Sequence, residues 1–348
     1  MSEQSSVVAD PKWWQSYMNS TLHDSPLYTQ FFTHLPYDQE LRELLTLIKK
    51  DQPVPTLFFS AVSFVLQSDL QHPLAAFYPY FQSNPRPAEE VYPVFREFCL
   101  SHQEALREIL PTIRLQTNEV TRCANLLPAF EMVFQRGGQK PLALVEVGAS
   151  AGFNLNWDKY GYHYGQTFIG DSSSPVQINC TLKGEQRPHF PETIPPVASR
   201  VGIDIAPLDI FNEDHVRWLR ACIWPEELHR FRALDAAIAF TRQNPPTIHS
   251  GDARLLLPAI LDAIPPEQTI CIWHSYVLRQ CPPEVREDIE AQIALHARKR
   301  DLYRVSLEFV QHDRHYPPQV DLFSYRGGEM TDEPLATCKV HGEEMEWF

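Results

Sequence analysis

The chain has 348 residues, 43 % of them hydrophobic, and carries 44 Asp and Glu against 30 Lys and Arg, a formal net charge of −14. That surplus of acid argues against a non-specific hold on nucleic acid, which needs Lys and Arg to neutralise phosphates, and leaves open only a local basic groove. The opening MSEQSSVVADPKWW lacks the basic and apolar parts of a signal peptide, TLFFSAVSFVL falls short of a membrane span, and the seven cysteines form no CxxC pair; these features predict a reduced cytoplasmic protein without membrane contact or structural zinc.

In chain order, YDQELRELLTLIKKD, PTLFFSAVSFVLQS, VYPVFREFCLSHQEALREIL and TNEVTRCANLLPAFEMVFQR carry apolar positions at helical spacing. They predict a helical N-terminal domain over residues 1–138, with the aromatic FYPYF at 77–81 packed inside it. From about residue 139 the pattern changes. LALVEVG reads as a buried strand, and prolines punctuate the rest of the chain: five Pro-Pro pairs stand at 195–196, 245–246, 265–266, 282–283 and 317–318. Such a pair removes two backbone donors and fixes φ, so it cannot lie inside a helix or a central strand. Four of the pairs precede strand-like runs, VASRVGIDIAP, TIHSGDARLLL, EQTICIWHSYVL and QVDLFSYRGG; the fourth in order opens a helix, CPPEVREDIEAQIALHARKR, with acids early and bases late. The helical patterns NEDHVRWLRAC, PEELHRFRALDAAIAFTRQ and ARLLLPAILDAI lie between. Strand alternating with helix predicts βαβ units and a parallel sheet over 139–348. Residues 156–199, with WDKYGYHYGQ and SPVQINCTLKG, read as an inserted subdomain of short strands, and LYRVSLEFV and LATCKVHGEEMEWF as late strands, the last pair antiparallel at the sheet edge.

The stretch ALVEVGASAGFN, residues 143–154, supports two readings. Gly148-Ala149-Ser150-Ala151-Gly152 fits the G-x-S-x-G nucleophile elbow of an α/β-hydrolase, with Ser150 as nucleophile and Asp252 with His274 or His312 completing a triad. An elbow serine sits on a central strand with earlier strands beside it, whereas the preceding residues here read as helices. The alternative is a strand followed by a small-residue turn whose backbone approaches a nucleoside cofactor. The spacing departs from the dinucleotide pattern G-x-G-x-x-G and resembles the E/D-x-G-x-G-x-G loop of class I S-adenosylmethionine-dependent methyltransferases, with Glu146 as the acid and Gly148, Ser150 and Gly152 at the three small positions.

Later motifs extend that resemblance. RVGIDIAPLD puts Asp204 where such enzymes hold the ribose hydroxyls, IHSGDARLLLP puts Asp252 where an acid meets the adenine amine, and ICIWHSYVL resembles the fourth strand, beside the transferred methyl group. The resemblance implies an α/β, Rossmann-like class I methyltransferase-type sheet that binds S-adenosylmethionine and acts on a small molecule. His274, as a proton acceptor, and Tyr276 are then the catalytic candidates. Glu119 and Arg122 are three apart in what reads as a helix; either they form a surface ion pair, or this helix closes the pocket with Asn118, Glu119 and Arg122 facing substrate. In combination, EVGASAGFNL, GIDIAPLD, WLRACIWPEE, GDARLLLP, HSYVL and RLQTNEVTRCA are similar to the bacterial family called domain of unknown function 2332, from about residue 20 to the C-terminus. A non-catalytic nucleoside-binding module on the same fold stays open as a further alternative. HDRH at 312–315 reads as a solvated loop, since no third metal ligand is near in sequence.

Overall fold

Among the described residues the apolar periodicity of the N-terminal third builds six α-helices: α1 (Pro11–Thr21), α2 (Pro26–His34), α3 (Gln39–Leu45), α4 (Val54–Leu66), α5 (Val91–Ser101) and α6 (Gln103–Ile109). After them come α7 (Cys123–Arg136), α8 (Glu213–Ala221), α9 (Leu228–Gln243), α10 (Ala253–Asp262) and α11 (Pro283–Ala297). The computed structural model describes residues 10–21, 25–310 and 316–348, and the chain divides into two compact units: Met1–Thr117 with Asn212–Arg232, and Asn118–Phe211 with Ala233–Phe348.

The first unit is helical for local reasons that its sequence states. The Ser25 hydroxyl accepts the Tyr28 N–H, with Pro26 in the first turn of α2, and the Asp38 carboxylate accepts the Leu41 N–H at the start of α3. The apolar α4 is buried on almost every side and forms the centre of the core, where Phe31 stacks on Phe95 with ring centroids 3.9 Å apart. Glu226, from the later segment, accepts the Ser25 hydroxyl at 2.6 Å and the Leu27 N–H at 2.9 Å, and Phe231 stacks on Tyr80. These bonds explain why residues 212–232 belong to this unit although they follow the first strands in the chain. Tyr78 and Phe77 of the FYPYF stretch are buried here.

The second unit is built on a mixed α/β arrangement around a large, mostly parallel sheet. Its strands are β1 (Leu142–Val147), β2 (Gly161–Tyr164), β3 (Thr167–Gly170), β4 (Gln177–Asn179), β5 (Thr181–Lys183), β6 (Val197–Asp204), β7 (Thr247–Ser250), β8 (Thr269–Ser275), β9 (Leu302–Phe309), β10 (Pro318–Arg326), β11 (Glu329–Cys338) and β12 (Glu344–Trp347). Nine of them pair in the order β5-β12-β11-β10-β9-β8-β1-β6-β7, and β3-β2-β4 form a small second sheet. β7, β6, β1, β8 and β9 run parallel; the pairs β9–β10, β10–β11 and β11–β12 are antiparallel, and β5 joins β12 in parallel. β6, β7, β8 and β10 each start within three residues of the second proline of a Pro-Pro pair or on it, and α11 starts on the pair that the sequence marks as a helix opening.

β1 is buried at every position because both of its faces are covered, as in sheets made by βαβ crossovers. Val145, Val147, Ile270 and Ile272 pack against α10 and α11 on one face. On the other, Trp273 meets Phe130 of α7, with ring centroids 5.6 Å apart. Three local details come from the structure. Residues 113–119 have no regular structure and α7 begins only at Cys123, so the helix expected over TNEVTRC is absent up to residue 119; a 3-10 turn, Val120–Arg122, precedes α7. The helix after GASAG is a seven-residue 3-10 helix, Phe153–Lys159. The inserted segment is only partly separate, since β5 forms an edge of the main sheet. HDRH at 312–315 lies outside the described residues.

The 3-10 helix is anchored to β6 by Arg200, whose guanidinium grips both oxygens of the buried Asp158 carboxylate at 2.8 and 3.0 Å and donates to the Leu155 carbonyl. Removing one member of such a pair leaves an uncompensated charge. Arg200→Met is therefore expected to lower unfolding free energy by about 3 kcal/mol, the low end for a buried pair because Arg200 partly reaches solvent; a urea titration measures it.

Candidate functional site

Strand β1 has β6 and β7 on one side and β8 and β9 on the other, so the chain reverses its direction of travel across the sheet between β1 and β8. In open parallel sheets the crevice at the carboxyl ends beside such a reversal is where ligands bind. The sequence-selected residues collect at these ends. Gly148–Gly152 follow β1, Asp204 ends β6, Asp252 follows β7, and His274 and Tyr276 lie at the end of β8.

The loop after β1 is held in an unusual backbone shape. Gly148 and Gly152 have φ of 78° and 76°, and Ser150, which carries a Cβ, has φ of 51°. Asp204 stabilises it: Oδ2 accepts the Ser150 N–H at 2.8 Å, Oδ1 accepts the Ala206 N–H at 2.8 Å, and the Asp204 carbonyl accepts the Gly251 N–H at 2.9 Å. One residue thus ties together the loops after β1, β6 and β7. The glycines are also required by packing. A Cβ on Gly148 would lie 2.1 Å from Val277 Cγ2, and one on Gly152 would lie 2.7 Å from Pro246. Ser150 is buried and its hydroxyl has no partner among the described residues.

Glu146 sits beside Trp273 in the register, on the face covered by α7. It is buried, one carboxylate oxygen lacks a partner, and burial, reinforced by the Asp204 charge, raises its pKa well above the usual carboxylate range. His274 pairs with Val147 and therefore projects from the opposite face. The two residues are brought to the same end of the sheet but not to the same side. His274 Nδ1 lies 2.9 Å from Glu308 Oε1, while Nε2 has no partner among the described residues. Tyr276 has φ of 56°, its ring lies under the Arg122 guanidinium at 4.2 Å, and burial pushes its phenol up, so it is a proton donor and not a base near neutral pH.

Asp252 is the N-cap of α10, accepting the Arg254 N–H at 2.9 Å, and its carboxylate also pairs with the Arg254 side chain at 2.6 Å. The same Arg254 contacts hold its pKa below the ordinary aspartate value. Asn118, Glu119 and Arg122 are buried and tie chain segments together. Asn118 Oδ1 accepts the Phe153 N–H at 3.0 Å, Glu119 accepts the Thr121 hydroxyl at 2.8 Å and faces His341 at 3.7 Å, and Arg122 Nε donates to the Val340 carbonyl at 3.1 Å. The helix face expected to carry Glu119 and Arg122 together does not exist, because residue 119 is extended. Among the described residues a serine triad is not assembled either: Ser150 Oγ and His274 Nε2 both lack partners there, and Asp252 is engaged by Arg254; His312 lies outside them.

Three residues at these ends were not singled out from sequence. Val277 fills the space over Gly148, Ile205 follows Asp204 with 81 % of its surface exposed, and Glu308 orients His274. A signal for Glu308 was present in LYRVSLEF, where Arg304, Ser306 and Glu308 alternate with apolar residues along β9.

The buried Glu146 gives a sign-definite pH effect. The folded state keeps its proton to a higher pH than the unfolded chain does, so its contribution to stability is fully present below the ordinary carboxyl pKa and is lost as pH rises toward the folded value. Glu146→Gln removes this loss. The variant is expected to be more stable than the wild type at neutral pH, the gap widening from about pH 5 upward by up to about 1.4 kcal/mol per pH unit; denaturant titrations at several pH values measure the gap.

The family model described as "Uncharacterized protein conserved in bacteria (DUF2332)" matches residues 18–347. No curated protein and no solved structure matches the chain. Among the described residues no helix is long and apolar enough to cross a membrane. The match spans nearly the whole sequence, both compact units included, and the chain belongs to the DUF2332 family.

Proposed function

We propose that the second unit is a class I methyltransferase-type fold that binds S-adenosylmethionine at the carboxyl ends of β1, β6 and β8 and transfers its methyl group to a small molecule. The observation that carries this reading is the loop Gly148–Gly152, bonded to the Asp204 carboxylate beside the reversal between β1 and β8. The strand order supports it: numbered by use from β1, the parallel strands run third, second, first, fourth, fifth, with an antiparallel strand next to the fifth.

The residues present fit an adenosyl group at the β6 end. Each Asp204 oxygen accepts one backbone amide and keeps lone pairs for ribose hydroxyls, and the exposed Ile205 offers an apolar surface beside it. The unpartnered Ser150 hydroxyl adds a buried polar group at the loop. Asp252 meets an adenine amine only by exchanging its Arg254 pairing. When bound, the cofactor supplies an electrophilic methyl group. The protein's part is to hold both partners and to take a proton from the acceptor, for which His274 Nε2, with Nδ1 fixed by Glu308, is the candidate base.

Because Asp204 also holds the loop, the informative titration uses the wild type. Isothermal titration with S-adenosylmethionine and S-adenosylhomocysteine is expected to show micromolar binding of both, and Ile205→Asp to weaken both at least tenfold without changing the unfolding midpoint. No binding of either ligand overturns the reading. Labelling of Ser150 by a fluorophosphonate would favour a hydrolase instead.

A further inference from the structure

Polar residues alternate along β9 and β10, and the register lines them up. Ser306 stands opposite His274 on one side and Asp321 on the other, and Glu308 stands opposite Gln319 one step along. All five therefore share one face of the sheet, at the carboxyl ends of β8 and β9. The apolar core of that face, Ile270 and Ile272 under α10 and α11, stops where this row begins.

The row holds more acceptors than donors. Glu308 Oε1 already accepts the N–H groups of Val277 at 2.9 Å and Leu278 at 3.1 Å, so the His274 nitrogen beside it, Nδ1, is the protonated one. In the neutral imidazole Nε2 then presents a lone pair. His274 is 2 % exposed, and both its Nε2 and Glu308 Oε2 are buried without a partner among the described residues. The Gln319 amide donates to Asp321 Oδ1 at 2.6 Å. Burial raises the half-buried Asp321 carboxyl above its usual range. Arg304, a cation on this face, is directed to Glu290 Oε1 at 2.9 Å and lies 3.8 Å over the Phe323 ring; its charge draws the Asp321 carboxyl down against the effect of burial, and its Nε has no partner among the described residues. An unsatisfied buried acceptor costs about 1–3 kcal/mol, so two on bonded neighbours mark a place shaped for a donor.

We propose that His274, Glu308 and Asp321 form a binding site for the protonated amine of a small molecule. An ammonium group offers three N–H donors to the three acceptors, and the chain's net charge of −14 favours the approach of a cation. Proton balance is simple. One N–H proton passes to His274 Nε2, giving an imidazolium beside the Glu308 carboxylate and leaving a neutral amine with a free lone pair. That this amine is the methyl acceptor rests on the function proposed above; the amine site does not.

The test is a titration of protein labelled with nitrogen-15 at histidine, in the absence of S-adenosylmethionine, with methylammonium, methanol and acetate as cationic, neutral and anionic probes of one size. The His274 signal is assigned by its loss in His274→Gln or, should that variant not fold, by triple-resonance spectra. Methylammonium is expected to move the Nε2 resonance saturably while methanol and acetate leave it in place, and Glu308→Gln and Asp321→Asn each to raise the midpoint at least tenfold. An unmoved resonance, an equal response to acetate, or wild-type midpoints in both variants overturns the proposal. Failure here leaves the cofactor titration unaffected, and failure of that titration leaves this site standing.

Discussion

The Asp204 carboxylate holds the arrangement at the sheet's carboxyl edge in place. Its two oxygens accept backbone amides from two different loops, and its carbonyl accepts a third amide from the loop after β7. Hydrogen bonds from amides to an ionised acceptor are stronger than those between neutral groups, so one side chain can hold a loop whose middle residue, Ser150, has a backbone shape rarely taken by residues with a Cβ. The glycines on either side complete the constraint, since Val277 and Pro246 occupy the space that a side chain would need.

Above that loop the structure departs from ordinary interior chemistry. The centre of the sheet is apolar on both faces, as buried parallel strands require. At its carboxyl end, buried polar atoms without partners among the described residues accumulate: Glu146 Oε2, Ser150 Oγ, Trp273 Nε1, His274 Nε2, Ser275 Oγ, Tyr276 Oη and Glu308 Oε2. Native interiors satisfy nearly all such groups, and a local excess is the pattern expected of a surface whose partners arrive with a ligand. The sheet divides them by face. Glu146 lies with Trp273 under α7, and His274 lies with Glu308 on the side of α10 and α11.

Much of the architecture was legible in the chain because it rests on local chemistry. Pro-Pro pairs cannot enter central strands, and four of them stand at the starts of β6, β7, β8 and β10. Helical periodicity located α3, α4, α8, α9, α10 and α11 in the same way. The misreadings have equally physical causes. Residues 113–119 contain polar side chains whose hydrogen bonds go to distant segments, such as Asn118 to Phe153, and these outweigh a helical spacing that looked continuous into α7. The motif reading of Asp252 as an adenine contact stands beside a second role, the cap of α10, which a short carboxylate at a helix start commonly takes.

Local chemistry was enough to set the element order, the apolar faces, the change from helices to alternating strands and helices, and the small-residue loop after β1. These follow from near-neighbour sterics and from the periods of helix and strand. Long-range packing chose which strands are neighbours, that Glu146 and His274 face opposite sides, that Glu308 rather than Asp252 orients the histidine, and that His274, Ser306 and Asp321 fall in one row across three strands. Register and pairing depend on contacts between residues far apart in the chain, where no local pattern specifies the partner.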